Sequence, residues 1–161
     1  ALELLIVVVI LAVLATVAAP NLRDMLVRNR LASISGDLAF DFAYARSTAI
    51  QRGVRVAVCA SRPPHSSCDG TAWGEGWMLY TDAANDGFTS GTDTVLRVHD
   101  PLPAGYAVTT SPAALVVQFR PSGPADALRT FQACFAGFIG REVTISTTGR
   151  VSSAAMTGAC S

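Results

Sequence analysis

Asp82, Asp86, Gly87 and Asp93 fall at places 1, 5, 6 and 12 of a twelve-residue calcium loop. Such a loop needs oxygen ligands at alternating places and a sharp turn at its sixth. Place 3 is Ala84, which cannot ligate, and place 12 is an aspartate where a bidentate glutamate is usual. β-forming runs flank the segment, so the simpler reading is a polar turn built on Asn85-Asp86-Gly87. Glu75, Asp82 and Asp86 are also the carboxylates nearest one another in sequence, and paired carboxylates can move protons. No Ser/His/Asp or Cys/His constellation accompanies them, and no glycine-rich phosphate loop opens a helix. Trp73 and Trp77 have the faces to stack on a sugar, but their expected role is to pack the head or cover an edge. The residues argue against a catalyst and require no cofactor, metal or small-molecule substrate.

The four cysteines suit an oxidising compartment. Cys59 and Cys68 flank a loop holding Pro63 and Pro64, where a local bridge is easy to close, and that leaves Cys134 with Cys160. Three pairings exist for four cysteines, and sequence alone does not choose among them. Neither Cys-x₂-Cys nor a Cys/His cluster occurs, and His65 and His99 stand apart, so the cysteines read as structural. Net charge is zero, which removes any global bias toward nucleic acid or anionic lipid.

Two kinds of element must position these residues. From Leu4 to Ala19 no residue is charged and only Thr16 is polar, while Glu3 stands at the start of the run. About 20 apolar helical residues cross a bilayer, and a carboxylate near the end of such a span needs a partner cation. From Asn21 to Arg52 there is no proline and one glycine, Gly36. Apolar residues recur at Leu31, Ile34, Leu38, Phe42, Ala45 and Ala49, the spacing of one helix face, with Arg28, Asp37, Asp41, Arg46 and Arg52 mostly off it. The two segments read as one helix of roughly 78 Å, ended by Gly53 and kinked or loosened at Pro20. Beyond Gly53 come short β-like runs: Val54–Ala60, Trp77–Thr81, Thr94–Val98, Tyr106–Thr110, Leu115–Arg120, Thr130–Phe135 and Glu142–Thr147. The expected fold is α+β: a helix with a membrane half (1–20) and an amphipathic half (21–53), its stripe packed against an antiparallel β-rich head (54–161).

The string Ala1-Leu2-Glu3-Leu4-Leu5-Ile6-Val7-Val8-Val9-Ile10-Leu11-Ala12, followed by Ala19-Pro20-Asn21, closely resembles the amino terminus of type IV pilins and type II secretion pseudopilins. In the register of that family the chain begins two residues inside the mature protein, after the N-methylated residue. A second resemblance spans the rest: Ala45-Arg46-Ser47-Thr48-Ala49-Ile50-Gln51-Arg52-Gly53, Val56-Ala57-Val58-Cys59, Trp73-Gly74-Glu75-Gly76-Trp77, Val95-Leu96-Arg97, Phe119-Arg120-Pro121-Ser122-Gly123 and Thr148-Gly149-Arg150-Val151 look like the GspH/FimT group of minor pilins and pseudopilins. The resemblance implies a non-enzymatic subunit, single-pass in the bacterial inner membrane with a periplasmic head. It would be drawn with other pilin or pseudopilin subunits into a pilus or secretion pseudopilus, in a tip complex. Glu3 would pair with an amino terminus, and Pro20 would mark a stretchable segment. Some members resemble DNA receptors for transformation and carry Gly-Arg-x-Arg; here the motif reads Gly149-Arg150-Val151-Ser152, leaving Arg150 and Arg141 as candidate phosphate contacts.

Overall fold

One face of the first helix, α1 (Leu2–Arg52), organises everything that follows it. Leu31, Ile34, Leu38, Phe42, Ala45 and Ala49 are all buried, as their spacing predicts, and Val27 begins the seam one turn earlier. Gly53, at φ +65°, ends the helix in the left-handed conformation that costs glycine least. The computed structural model describes residues 2–88 and 91–160; along α1 the side chains of Leu2, Leu5 and residues 13–20 lie outside that description. Helical backbone continues through Pro20. Among the described residues no helix is long and apolar enough to cross a membrane, and the span expected over Ala1–Ala19 falls partly outside them.

Among the described residues eight strands follow: β1 (Val56–Ala60), β2 (Trp77–Thr81), β3 (Val95–His99), β4 (Tyr106–Ser111), β5 (Val116–Phe119), β6 (Arg129–Phe135), β7 (Ile139–Ile145) and β8 (Val151–Ala159). They form two antiparallel four-stranded sheets, ordered β3-β2-β1-β5 and β4-β6-β7-β8. Between the sheets and α1, the Phe131 ring meets Phe42 at 4.6 Å and Trp73, edge to face, at 4.9 Å. β1 is buried on both faces. Val56, Val58 and Ala60 join the α1 core, while Ala57 and Cys59 join a smaller cluster with Met78 and Tyr80, against which Phe88 and Cys68 pack.

Two strand expectations need correction. The last predicted run, Glu142–Thr147, starts earlier and stops sooner, at Ile139–Ile145. A turn in which the Gly149 N–H donates to the Ser146 carbonyl ends it, and Gly140 is tolerated because a Cβ there would meet the Ala133 carbonyl, Cys160 Sγ and Met156 Sδ, each at 2.7 Å. No β-like run of the sequence marks β8. Its residues are mostly small or polar and its side chains mostly exposed, so no alternation marks it; pairing with β7 makes it a strand.

Asp41, expected off the stripe, is buried instead. It lies three residues after Leu38 and four before Ala45, on the edge of the same face. Trp77 Nε1 donates to Asp41 Oδ2 at 2.8 Å, and Arg97 Nε lies 2.9 Å from Asp41 Oδ1. Arg97 also covers the Phe40 ring at 4.9 Å, and His99 stacks on Trp77 at 3.8 Å. The group thus ties β2 and the edge strand β3 to the helix.

Burial raises the Asp41 carboxyl above its usual range, against the opposing pull of the Trp77 hydrogen bond and the Arg97 charge. A raised folded-state value means that the stabilising contribution is fully present below the unfolded-state value and is lost as pH rises through the folded one. Denaturant melts of wild type and Asp41→Asn between pH 3.5 and 7 should show wild-type stability falling relative to the variant as pH rises. Asp41→Ala, which strands a buried indole N–H, should lose about 1–3 kcal/mol at pH 7. Phe131→Ala should lose about 3–5 kcal/mol in the same melts, because it empties the joint between sheet and helix.

Candidate functional site

Three regions hold the residues singled out by the sequence. The first is the projecting start of α1. Glu3 is exposed in the first turn of the helix, where its charge suits the helix dipole. Beside it Leu4, Ile6, Val7, Val8, Val9, Ile10 and Leu11 expose between 49% and 74% of their surface. Farther along, Leu22, Met25 and Leu26 are more than half exposed, and Phe40 and Tyr44 remain exposed beside the head. An apolar helix surface of this extent is stable only against lipid or other apolar surface.

The second region is the acidic loop. Asp82, Asp86 and Asp93 each bring a carboxylate oxygen within 4.8 Å of the others, as the calcium spacing requires. Asp82 is fully buried, and protein donors already engage both its oxygens: the Asp86 N–H at 3.1 Å and Gln118 Nε2 at 3.1 Å. Ala84 at place 3 offers no ligand, and Thr89 and Ser90, at places 8 and 9, lie outside the described residues. The polar-turn geometry is therefore present, with an Asp82 side chain closing it, and the flanks are strands β2 and β3. Phe88 packs edge-on against Tyr80 at 5.2 Å, so the loop covers the outer face of the first sheet. Burial first, then the Asp82, Asp93 and Asp86 charges, push the Tyr80 phenol up to about 12. Glu75 belongs to another structure: it accepts from the Thr71 and Ala72 N–H groups and lies 3.9 Å from Arg62. The Thr71 N–H chiefly holds its carboxyl below the usual range, the opposite of what a general base near neutral pH needs. Trp73 and Trp77 are both buried, so neither presents a face to a sugar.

The third region contains the arginine candidates, which the fold separates. Arg150 is exposed and lines a groove with Ala43, Arg46, Ser47 and Ile50 of α1. Arg141 lines another groove with Arg28, Leu31 and Ala155, and its Nε donates to the buried Ser35 Oγ at 3.0 Å. Arg28 and Arg46 are about 27 Å apart along the helix axis. Arg46, not singled out for any role by the sequence, is the joint of the second region of resemblance: its Nε donates to the Gly123 carbonyl at 3.1 Å and its Nη2 to the Thr148 carbonyl at 3.2 Å. Gly149 stands at φ +80° against Arg46 and the Gly123 carbonyl, where a Cβ would collide with both. Three separate motifs thus converge on one structural clasp. Cys59 pairs with Cys68 and Cys134 with Cys160, each with Cα atoms 5.6 Å apart, and no described cysteine is free.

Residues 35–149 match the family described as Type II transport protein GspH. The type IV minor pilin FimU of Pseudomonas aeruginosa superposes with a TM-score of 0.66 at 25% identity, covering 83% of this chain and 97% of that one. A second crystal form of FimU gives 0.62 at 24% identity, with 80% and 98% covered. The minor pseudopilin EPSH from the type II secretion system of Vibrio cholerae shares the fold, at a TM-score of 0.60 and 12% identity, with 83% and 99% covered. No curated protein matches the sequence. A long helix on antiparallel sheets, a match over most of the head and these structural relatives agree: the chain belongs to the Type II transport protein GspH family and has the type IV pilin-like fold.

Proposed function

We propose that this protein is a non-catalytic minor pilin or pseudopilin that assembles through its first helix into a type IV pilus or type II secretion pseudopilus. The observation that carries the reading is the projecting apolar helix, exposed at Leu4, from Ile6 to Leu11 and again at Leu22, Met25 and Leu26. Residues 1–20 are then the half that lies first in the bacterial inner membrane and later among neighbouring helices. Residues 21–53 are the amphipathic half, and 54–161 the periplasmic head. Lipid and a bundle of apolar helices solvate the same surface, so transfer between them exchanges one apolar environment for another. Pro20, within the first half, lacks a backbone donor and is the natural point for the helix to yield during packing.

Glu3 supplies what apolar contact cannot, a fixed axial register. A carboxylate among apolar helices is tolerated only beside a cation, and the amino terminus of a neighbouring subunit has the right charge and position. The head then carries the contacts that choose neighbours, with a place in a tip complex as the expected one. Glu3→Ala should leave the head folded, with an unchanged melting profile, while removing the subunit from purified filaments. Glu3→Gln, which keeps the size without the charge, should fail in the same way. Immunoblots of filament and membrane fractions decide the matter: either variant entering filaments at the wild-type level would refute the role of Glu3.

A further inference from the structure

β8 is an open edge. It pairs with β7 on one side, and among the described residues no strand lies on its other side in the sheet order β4-β6-β7-β8. Edge strands are ordinarily protected by charges, by proline, by bulges or by a covering element; the register of β8 with β7 shifts beyond Ala155, and from Val151 to Ala155 it is regular. The nine residues of β8, Val-Ser-Ser-Ala-Ala-Met-Thr-Gly-Ala, contain no charge and no proline, and seven of them are exposed. The Ser146 N–H donates to the Arg150 carbonyl at 2.9 Å, which makes that pair the hydrogen-bonded rung next to the turn. By antiparallel alternation Ser152 and Ala154 then bond to β7, while Val151, Ser153 and Ala155 turn their backbone groups to the open side.

The first half of this edge is flanked by two basic grooves. Val151 lines the groove that holds Arg46 and Arg150, and Ala155 lines the groove that holds Arg28 and Arg141. None of the four guanidinium groups is within ion-pair distance of a carboxylate among the described residues, whereas Arg62, Arg97 and Arg129 each have one. Glu142, the acidic residue of β7, adjoins Arg141 in the strand and so points to the other face of the sheet. Val151 and Ala155 lie on the same face, about 13 Å apart.

We infer that β8 is a docking edge for an extended segment of another protein, added as a fifth antiparallel strand and carrying two carboxylates four residues apart. The backbone of the incoming strand meets Val151, Ser153 and Ala155, and its carboxylates meet the two arginine pairs. Even spacing is required because only residues an even number apart share a strand face. A strand is favoured over a nucleic acid because the edge offers main-chain donors and acceptors in register. In addition, Arg46 and Arg141 already spend part of their donor capacity on protein oxygens. This surface is separate from the projecting helix and does not depend on it.

The test uses the full chain in detergent micelles and a fluorescent nine-residue peptide of alternating valine and threonine with two glutamates four positions apart. Fluorescence anisotropy should give binding at least tenfold tighter than for the peptide with glutamines, or with glutamates three positions apart. Arg150→Ala should weaken binding severalfold. Ser153→Pro, which removes an outward N–H and leaves the β7 pairing intact, should abolish it without changing the melting profile. Equal binding of the glutamate and glutamine peptides, or full binding to Ser153→Pro, would overturn the inference. Binding of duplex DNA that Arg150→Ala abolishes, without peptide binding, would overturn it in favour of a phosphate site.

Discussion

The main core of the head is built on the helix. Both sheets turn their apolar faces toward one strip of α1, from Val27 to Ala49, and the aromatic cluster of Phe42, Trp73 and Phe131 closes the space between them. Every other feature is arranged around this seam. The Asp41 group fastens β2 and β3 along one border of the strip, and the Arg46 clasp fastens the turns at Gly123 and Thr148 along the other. Because Leu31, Ile34, Leu38, Phe42, Ala45 and Ala49 are buried in the main core with residues of both sheets, separating the helix from the head would expose that core to water. Whatever happens to the projecting half of α1 is therefore felt by the head as a rigid-body movement.

The same seam sorts charge. Asp37 and Asp41 lie on the flank near β3, where His99 and Arg97 answer them. Arg28 and Arg46 lie on the flank near β8, facing Arg141 and Arg150. A chain of zero net charge thus has one flank internally neutralised and another left basic. Net charge describes colloidal behaviour and long-range steering; the pairing of individual groups describes recognition. The neutral total of this chain conceals that difference.

Most of the fold could be read from periodicity. The buried stripe of α1 is a 3.6-residue pattern carried by large side chains, and Gly53 marks its end. β2 matches its run residue for residue, because Trp77–Thr81 holds aromatic and apolar residues between turn-formers. The failures share a cause. β8 is a strand by virtue of its neighbour, and Asp41 is buried because Trp77 and Arg97 arrive from distant segments; neither partner is visible in a local window. The candidate sites were legible as residue types but not as constellations. Asp82, Asp86 and Asp93 lie near one another because they belong to one connection between β2 and β3. Arg141 and Arg150 lie nine positions apart in sequence, yet the β7–β8 hairpin sends them to different grooves.

The bridge between Cys134 and Cys160 gives the hairpin a mechanical character. β8 leaves the turn at Gly149 and finishes at a cysteine bonded to β6, one strand beyond its pairing partner. An edge strand held by hydrogen bonds alone can be unzipped one rung at a time by a force at its end. Here a pull at Cys160 passes through covalent bonds into β6, in the interior of the sheet, and the rungs of β8 are spared the load. In a subunit hauled through a membrane or along a growing fibre, tension reaching that corner of the head would be shared across the sheet instead of peeling its margin.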